Sequence, residues 1–113
     1  MREYWLKAET GTLPEVKRSG IMFSKDDGAN RIGVEVMDGG APAELSGSIL
    51  ASIVRADGTT IQETGEKDGG RAWIDLPDDA YAVVGPVGVF LKVVSGEIVA
   101  TLGGVEAYVV KSR

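Results

Sequence analysis

The chain has 113 residues, no cysteine, no histidine, 26% charged residues and a formal net charge of −5 at pH 7. This length suits one domain with an ordinary hydrophobic core, and the lack of Cys and His excludes disulfides, Ser–His or Cys–His catalysis and His-metal chemistry. The negative charge disfavours nucleic acid as a partner, and no apolar run reaches the length of a membrane span, so no membrane partner is expected.

The first 20 residues show no clear period and are predicted to form an extended N-terminal arm, 1–20, ahead of a β-sandwich domain, 21–113. The apolar anchor of this arm is Tyr4, Trp5 and Leu6. Two interpretations stay open. The arm lies along its own sandwich, or it docks on a neighbouring subunit, as apolar anchors on extended segments often do. The docking interpretation predicts that residues 1–15 contribute little to the folding of one domain.

From Ile21 onward the signals are nearly all β, because short apolar-polar alternations are separated by Asp-Gly and Gly-Gly turns. The predicted strands are 21–23, 31–36, a run ending at Arg55, 60–64, 71–76, 87–94, 98–102 and 105–110. The pair Gly103-Gly104 predicts a bulge or kink. The segment 77–81, with Pro first and acids next, predicts a single helical turn in which Tyr81 is largely buried and its hydroxyl is bonded to nearby backbone. Such a series of short strands is typical of an all-β sandwich.

Residues 49–54 are apolar on both sides of the predicted strand, unlike a strand that is covered on one face only. In one register Ile49 and Ile53 point outward, and in the other Leu50 and Val54 do. Alternation in other strands also turns large side chains outward, and a contiguous patch of them needs a cover. The predicted interface residues, from the arm and the strands together, are Tyr4, Trp5, Leu6, Ile49, Ile53, Trp73, Phe90 and Tyr108.

Several stretches carry a resemblance in matching order: 23–28 (FSKDDG), 31–36 (RIGVEV), 39–47 (GGAPAELSG), 54–59 (VRADGT), the corner 76–77, and 85–87 before the strand with Val89, Leu91 and Val93. Together they resemble the N-terminal domain of the phage baseplate upper protein family over roughly residues 21 to 110. The resemblance implies an immunoglobulin-like antiparallel β-sandwich, a homotrimer, and a role in anchoring longer proteins to a virion that is assembled in the bacterial cytoplasm.

The residues themselves indicate no enzyme, cofactor or metal site. The carboxylates, among them Asp26, Asp27, Asp78 and Asp79, fall in predicted turns, where Asp is favoured by local geometry. The sequence therefore predicts a non-enzymatic virion module of the tail baseplate whose partners are its own copies and other phage proteins. One alternative is a capsid decoration protein or the base of a head fibre. Another is a carbohydrate-binding sandwich that uses Trp5, Trp73 or Tyr81 as a sugar platform.

Overall fold

The computed structural model describes residues 1–18 and 20–112, and its strands form two β-sheets. The strands are β1 (Arg2–Glu9), β2 (Glu15–Lys17), β3 (Met22–Phe23), β4 (Asn30–Asp38), β5 (Ala41–Pro42), β6 (Ser48–Val54), β7 (Thr60–Thr64), β8 (Glu66–Asp68), β9 (Arg71–Asp75), β10 (Gly85–Ser95) and β11 (Ile98–Val109). Two 3-10 turns, Lys25–Asp27 and Asp78–Tyr81, interrupt the series. Over the described ranges, no helix is long and apolar enough to cross a membrane.

The two sheets pack face to face, which confirms the predicted all-β sandwich. Sheet A has the order β1-β4-β9-β8, with β5 beside β4, and sheet B has the order β2-β11-β10-β6-β7, with β3 beside β11. The sheets are mixed rather than purely antiparallel. The reason is that β1 runs parallel to β4, and both β2 and β3 run parallel to β11. The other strand pairs are antiparallel, as expected for consecutive strands joined by tight turns.

The core lies between the sheets and is built from alternate residues of the long strands. Its fully buried members include Phe23, Ile32, Val34, Ile53, Val89, Leu91 and Val105. Strand β6 takes the register that turns Ile49, Ala51 and Ile53 inward, so Ile49 is only 2% exposed and Ile53 is fully buried. These two residues were predicted at an interface, and that prediction is wrong. The inward register buries two isoleucines in the core, whereas Ser52, on the other side of the strand, is also covered and is only 7% exposed.

The first strand belongs to the sandwich, as in the first of the two interpretations of the arm. Each of the eight residues of β1 has a register partner on β4. Leu6 is 3% exposed and lies in the core, which corrects its prediction as an interface residue. Tyr4 is half-buried and meets the Phe23 ring edge-on, with 5.5 Å between the ring centroids. Because β1 supplies core side chains, the expectation that residues 1–15 contribute little to folding loses its physical basis.

Strands β10 and β11 form one long hairpin that carries the predicted irregularity. Leu91 pairs with Gly103 and Lys92 with Thr101, so Leu102 is the extra residue of a β-bulge. The bulge precedes the glycine pair, and the two predicted segments are one continuous strand. At the far end of the hairpin Ile98 is 72% exposed and Val99 is 58% exposed. We name residues 95–100 the hairpin tip.

The predicted helical turn is present at Asp78–Tyr81, and Ala80 within it is fully buried. Tyr81 packs partly against the core, and its hydroxyl accepts a hydrogen bond of 2.8 Å from Nδ2 of Asn30. We expected a backbone partner for this hydroxyl. The side chain of Asn30 takes that place because it is fully buried and needs a partner for its amide. Burial also raises the pKa of Tyr81 above its ordinary value near 10.

Replacing Tyr81 should therefore destabilise the fold in two separable ways. Tyr81→Ala should lower the free energy of unfolding by about 3 kcal/mol. Tyr81→Phe should lower it by about 1 kcal/mol, because Nδ2 of Asn30 loses its shorter hydrogen bond and keeps only the 3.4 Å bond to the carbonyl of Ser24. Because the pKa of Tyr81 is higher in the folded chain than in the unfolded chain, its contribution to stability is complete below the unfolded-state pKa. That contribution declines as the pH rises from there through the folded-state pKa, because the unfolded chain loses the proton more readily. Urea titrations near neutral pH and above pH 10 measure both effects. The extra alkaline decline should vanish in Tyr81→Phe, and its persistence there would contradict this assignment.

Candidate functional site

The outer face of sheet A carries two tryptophans on either side of a glycine. Trp5 of β1 is the register partner of Gly33 on β4, and Gly33 is the partner of Trp73 on β9. A Cβ on Gly33 would lie 2.3 Å from Cζ3 of Trp5, so only glycine lets the Trp5 ring lie down on the sheet. The ring centroids of Trp5 and Trp73 are 6.3 Å apart, with 57° between the planes. The result is a half-exposed aromatic pair.

Two arginines hold this pair from either side. The guanidinium of Arg71 lies 5.2 Å from the centroid of the Trp5 ring, and that of Arg31 lies 5.5 Å from the centroid of the Trp73 ring. Nε of Arg31 is 2.8 Å from Oδ1 of Asp75, and this hydrogen bond raises the pKa of Arg31. Both arginines are thus fixed cations over aromatic faces.

Carboxylates complete the surroundings of the aromatic pair. Nε1 of Trp5 donates a hydrogen bond of 3.0 Å to Oε1 of Glu3. Together with both tryptophans and both arginines, Glu3 and Asp68 line a shallow depression of about 150 Å³. We name this surface the tryptophan platform; it is defined by Glu3, Trp5, Arg31, Asp68, Arg71 and Trp73. It combines stacking faces with hydrogen-bonding groups of both charges.

The outer face of sheet B carries an apolar groove. The Phe90 ring lies over two glycines, because a Cβ on Gly88 would be 2.8 Å from Cε2 and one on Gly104 would be 2.5 Å from Cδ1 of that ring. Next to Phe90, a groove of about 410 Å³ opens between β6, β10 and β11. We name it the sheet B groove; its lining includes Arg18, Val54, Arg55, Pro86, Phe90, Glu106 and Tyr108.

Exposed apolar surface and two arginines mark this groove. Val54 is 38% exposed and Tyr108 is 54% exposed. Nε of Arg18 pairs with Oε2 of Glu106 at 2.9 Å. Nε of Arg55 donates to the hydroxyl of Thr59, and Nη1 donates to the carbonyl of Asp79. Neither of these hydrogen bonds is to a carboxylate.

The predicted interface residues do not form one patch. Trp5 and Trp73 meet on sheet A, whereas Phe90 and Tyr108 lie on the opposite face of the molecule, on sheet B. The predictions that Trp73, Phe90 and Tyr108 point outward are confirmed by their exposure. It stays a prediction that these four residues, and the inward-facing Tyr4, take part in an interface.

Sequence reasoning missed the arginines and the glycine of the tryptophan platform. The signal was present, since alternation in 31–36 places Arg31, Gly33 and Glu35 on the face opposite the inward Ile32 and Val34. A glycine facing outward in the middle of a strand marks a close approach by another group. Here that group is the ring of Trp5.

The acidic residues have structural contacts. Asp27 and Ser24 form a capping box around the first 3-10 turn, and hydrogen bonds from Thr59 lower the pKa of Asp57. The basic Lys67 also has structural contacts, because its Nζ donates to the carbonyls of Leu45, at 2.8 Å, and Gly47. In residues 1–18 and 20–112, no group of three or more Asp or Glu side chains is arranged to hold a metal ion.

No family model matches the chain, and no curated protein is similar to it in sequence. Membership of the phage baseplate upper protein family therefore stays a prediction. Among solved structures, the chain is similar to the N-terminal domain of phage TP901-1 ORF48, with a TM-score of 0.59 and 12% sequence identity. The alignment covers 100% of both chains. At this identity, the similarity establishes a shared fold.

Proposed function

We propose that this protein is a non-enzymatic structural module of a bacteriophage virion. The observation that carries the proposal is the similarity to the N-terminal domain of a phage protein, which extends over the full length of both chains. An all-β sandwich is a common fold and does not by itself imply a function. The proposal gains weight because the sequence independently resembles a phage family over roughly residues 21 to 110.

Within that role we propose a position in the tail baseplate, where the module anchors or supports host-binding components. The two outer faces support an assembly role, since each presents aromatic side chains that a single copy leaves half-exposed or exposed. Buried aromatic side chains contribute strongly to interface energetics when a partner covers them. We also propose that the module works as a homo-oligomer, with a trimer as the expected state.

Immunogold electron microscopy tests the virion role. Particles produced from the genome that encodes this chain should bind an antibody raised against the purified protein, and particles from the matching gene deletion are the control. Label at the tail tip supports the baseplate position. Label on the head instead supports the alternative, capsid decoration or the base of a head fibre. Particles that carry no label would overturn the virion proposal.

A second candidate is carbohydrate binding, and the tryptophan platform specifically favours it. Trp5 and Trp73 lie on one exposed face with Glu3 and Asp68 beside them, an arrangement that offers stacking faces and hydrogen-bond acceptors to a sugar ring. Tyr81, the third aromatic of the original hypothesis, packs against the core and bonds Asn30 instead. We therefore restrict this candidate to the sheet A surface.

Two variants distinguish carbohydrate binding from a purely structural platform. Titration of the protein with cell-wall polysaccharide of the host bacterium should change tryptophan fluorescence, and Trp73→Ala should abolish the change. Gly33→Ala should weaken it, because the new Cβ displaces the Trp5 ring without removing any aromatic group. Tyr108→Ala, on the opposite sheet, is the control and should bind normally. A wild-type protein whose fluorescence does not respond would end this candidate.

A further inference from the structure

The hairpin tip is exposed, and the residues of β11 within it are apolar. Ile98 and Val99 are 72% and 58% exposed, and Ala100 and Thr101 are exposed as well. Over residues 98–101 the register pairs of β11 all lie on β10, because β2 and β3 pair with β11 only from Gly103 onward. Exposed strand edges are usually blunted by charge or proline, yet residues 98–102 contain neither.

The sheet B groove is the matching concave surface in the same chain. Its floor and walls are largely apolar, with Val54, Phe90 and Tyr108 among them. A volume of about 410 Å³ has room for roughly a dozen atoms at about 30 Å³ each. Ile98 and Val99 are consecutive in β11 and point to opposite faces, so one of the two side chains enters the groove, and its carbons fit within that number. The tip thus offers apolar side chains, and the groove offers an apolar space of suitable size.

Charge is complementary between the two surfaces. Glu97 is the one charged residue between Val93 and Val105, so the tip is negative. The groove is lined by Arg18, Arg55 and Glu106, of which Arg18 and Glu106 form an ion pair. Among the lining residues this leaves one positive charge, that of Arg55, which also interacts with Asp57 in the turn before β7. Opposite charges at the rim of an apolar contact favour this pairing and its orientation.

The tip of one copy cannot reach its own groove. The groove lies where β10 begins and β11 ends, whereas the tip lies where β10 ends and β11 begins. At about 3.3 Å per residue, the two ends of this hairpin are about 30 Å apart. A hairpin tip that fills the groove must therefore belong to another copy, and the contact is then head-to-tail.

We propose that the hairpin tip of one copy inserts into the sheet B groove of the next copy, with Glu97 facing Arg55. This contact is heterologous, so it closes into a ring where the rotation per copy allows and otherwise extends into a filament. The inference rests on the self-assembly proposed above and names the surfaces that would mediate it. It is independent of where in a virion the protein stands.

Complementation between two variants tests this contact. Val99→Asp places a charge on the tip, and Tyr108→Asp places one in the groove. Both residues are more than half exposed, at 58% and 54%, so both variants should fold, which the thermal midpoint checks. Light scattering over a concentration series should show self-association of the wild type, weakened at least about tenfold in each variant. Leu13→Asp, at an aliphatic residue that is 92% exposed and outside both surfaces, is the matched control and should associate normally.

The mixture of the two variants gives the decisive result. The Tyr108→Asp chain keeps an intact tip and the Val99→Asp chain keeps an intact groove. One productive contact is left, so an equal mixture should form a species of twice the single-chain mass. A mixture that stays monomeric would overturn the proposal. Self-association kept by Tyr108→Asp alone would overturn it in favour of a tip–tip contact, and self-association kept by Val99→Asp alone would overturn it in favour of a groove–groove contact. A wild type that is monomeric at every concentration would also overturn it, while a virion that still contains the chain would leave the proposed function standing.

Discussion

A chain without residues 1–9 should lose its cooperative unfolding transition and its near-UV circular dichroism at 25 °C. The deletion removes a strand whose eight residues all pair with β4. It also removes Leu6 from the core and Tyr4 from the Phe23 ring. Loss of one buried leucine side chain costs about 2–5 kcal/mol, and single domains are stable by only about 5–15 kcal/mol in total. The combined loss therefore exceeds what the fold can tolerate.

Point variants in the same strand separate the core contribution from mere strand length. Leu6→Ala should lower the free energy of unfolding by about 3 kcal/mol, because Leu6 pairs with Val34 in sheet A and its Cδ1 also lies close to Gly103 in sheet B. Lys7→Ala, the matched change at the exposed neighbour, should cost less than about 0.5 kcal/mol. Equal stabilities of Leu6→Ala and Lys7→Ala in urea titrations would return this segment to the docking interpretation.

Gly65→Ala should be the most costly single-methyl substitution outside the positive-φ glycines. Gly65 connects β7 of sheet B to β8 of sheet A, and its N–H donates to the carbonyl of Ile49 at 2.8 Å. A Cβ at this position would lie 2.6 Å from the carbonyl oxygen of Trp73, and 2.7 and 2.8 Å from Cγ2 atoms of Ile49 and Ile74. The chain is confined on both sides, so relief requires the two sheets to separate.

We expect Gly65→Ala to lower the free energy of unfolding by about 3 kcal/mol and the thermal midpoint by about 10 °C. Differential scanning calorimetry measures the midpoint directly. Thr64→Ala, at the exposed preceding residue, is the control and should stay within about 0.5 kcal/mol of the wild type. A Gly65→Ala midpoint equal to that of the control would mean that the connection between β7 and β8 can shift to accommodate the new Cβ without loss of stability.

Periodicity predicted most of the central strands because one face of each is buried. The run 60–64 coincides with β7, and 31–36, 71–76 and 87–94 fall on β4, β9 and β10 with small differences at the ends. The strand with Ile49 and Ile53 was located, but its register could not be predicted. Both of its sides carry apolar residues, and only the neighbouring strands determine which side meets the core.

The misses have definite physical causes. Strand β8, Glu66–Asp68, is exposed at every residue and contains no apolar side chain, so burial left no trace in its sequence. Strand β1 does alternate, with Tyr4, Leu6 and Ala8 toward the core. That signal was obscured because Trp5, the largest apolar residue, lies on the outer side. The parallel pairing of β1 with β4 could not be predicted, because these two strands are not joined by a hairpin turn that the sequence would reveal.

The site was predictable in part for the same reason. Alternation alone placed Trp73, Phe90 and Tyr108 on outer faces. Alternation could not predict that Trp5 lies beside Trp73, because β1 and β9 are neighbours only through β4, on which Gly33 lies between the two rings. Cross-strand neighbours come from the order of strands in a sheet, which local sequence does not encode.

The position of β11 as the common partner of β2, β3 and β10 has a consequence during synthesis. Residues 22–23 pair with 108–109, and residues 15–17 pair with 103–105. At ribosomal rates of about 5–20 residues per second, the early segments wait roughly ten seconds for these partners. Sheet B cannot form completely until β11 has left the ribosome, so the domain should become protease-resistant in one step, once β11 has emerged, and not in stages. Nascent chains arrested before β11 should therefore be digested, whereas chains arrested with β11 outside the ribosome should survive.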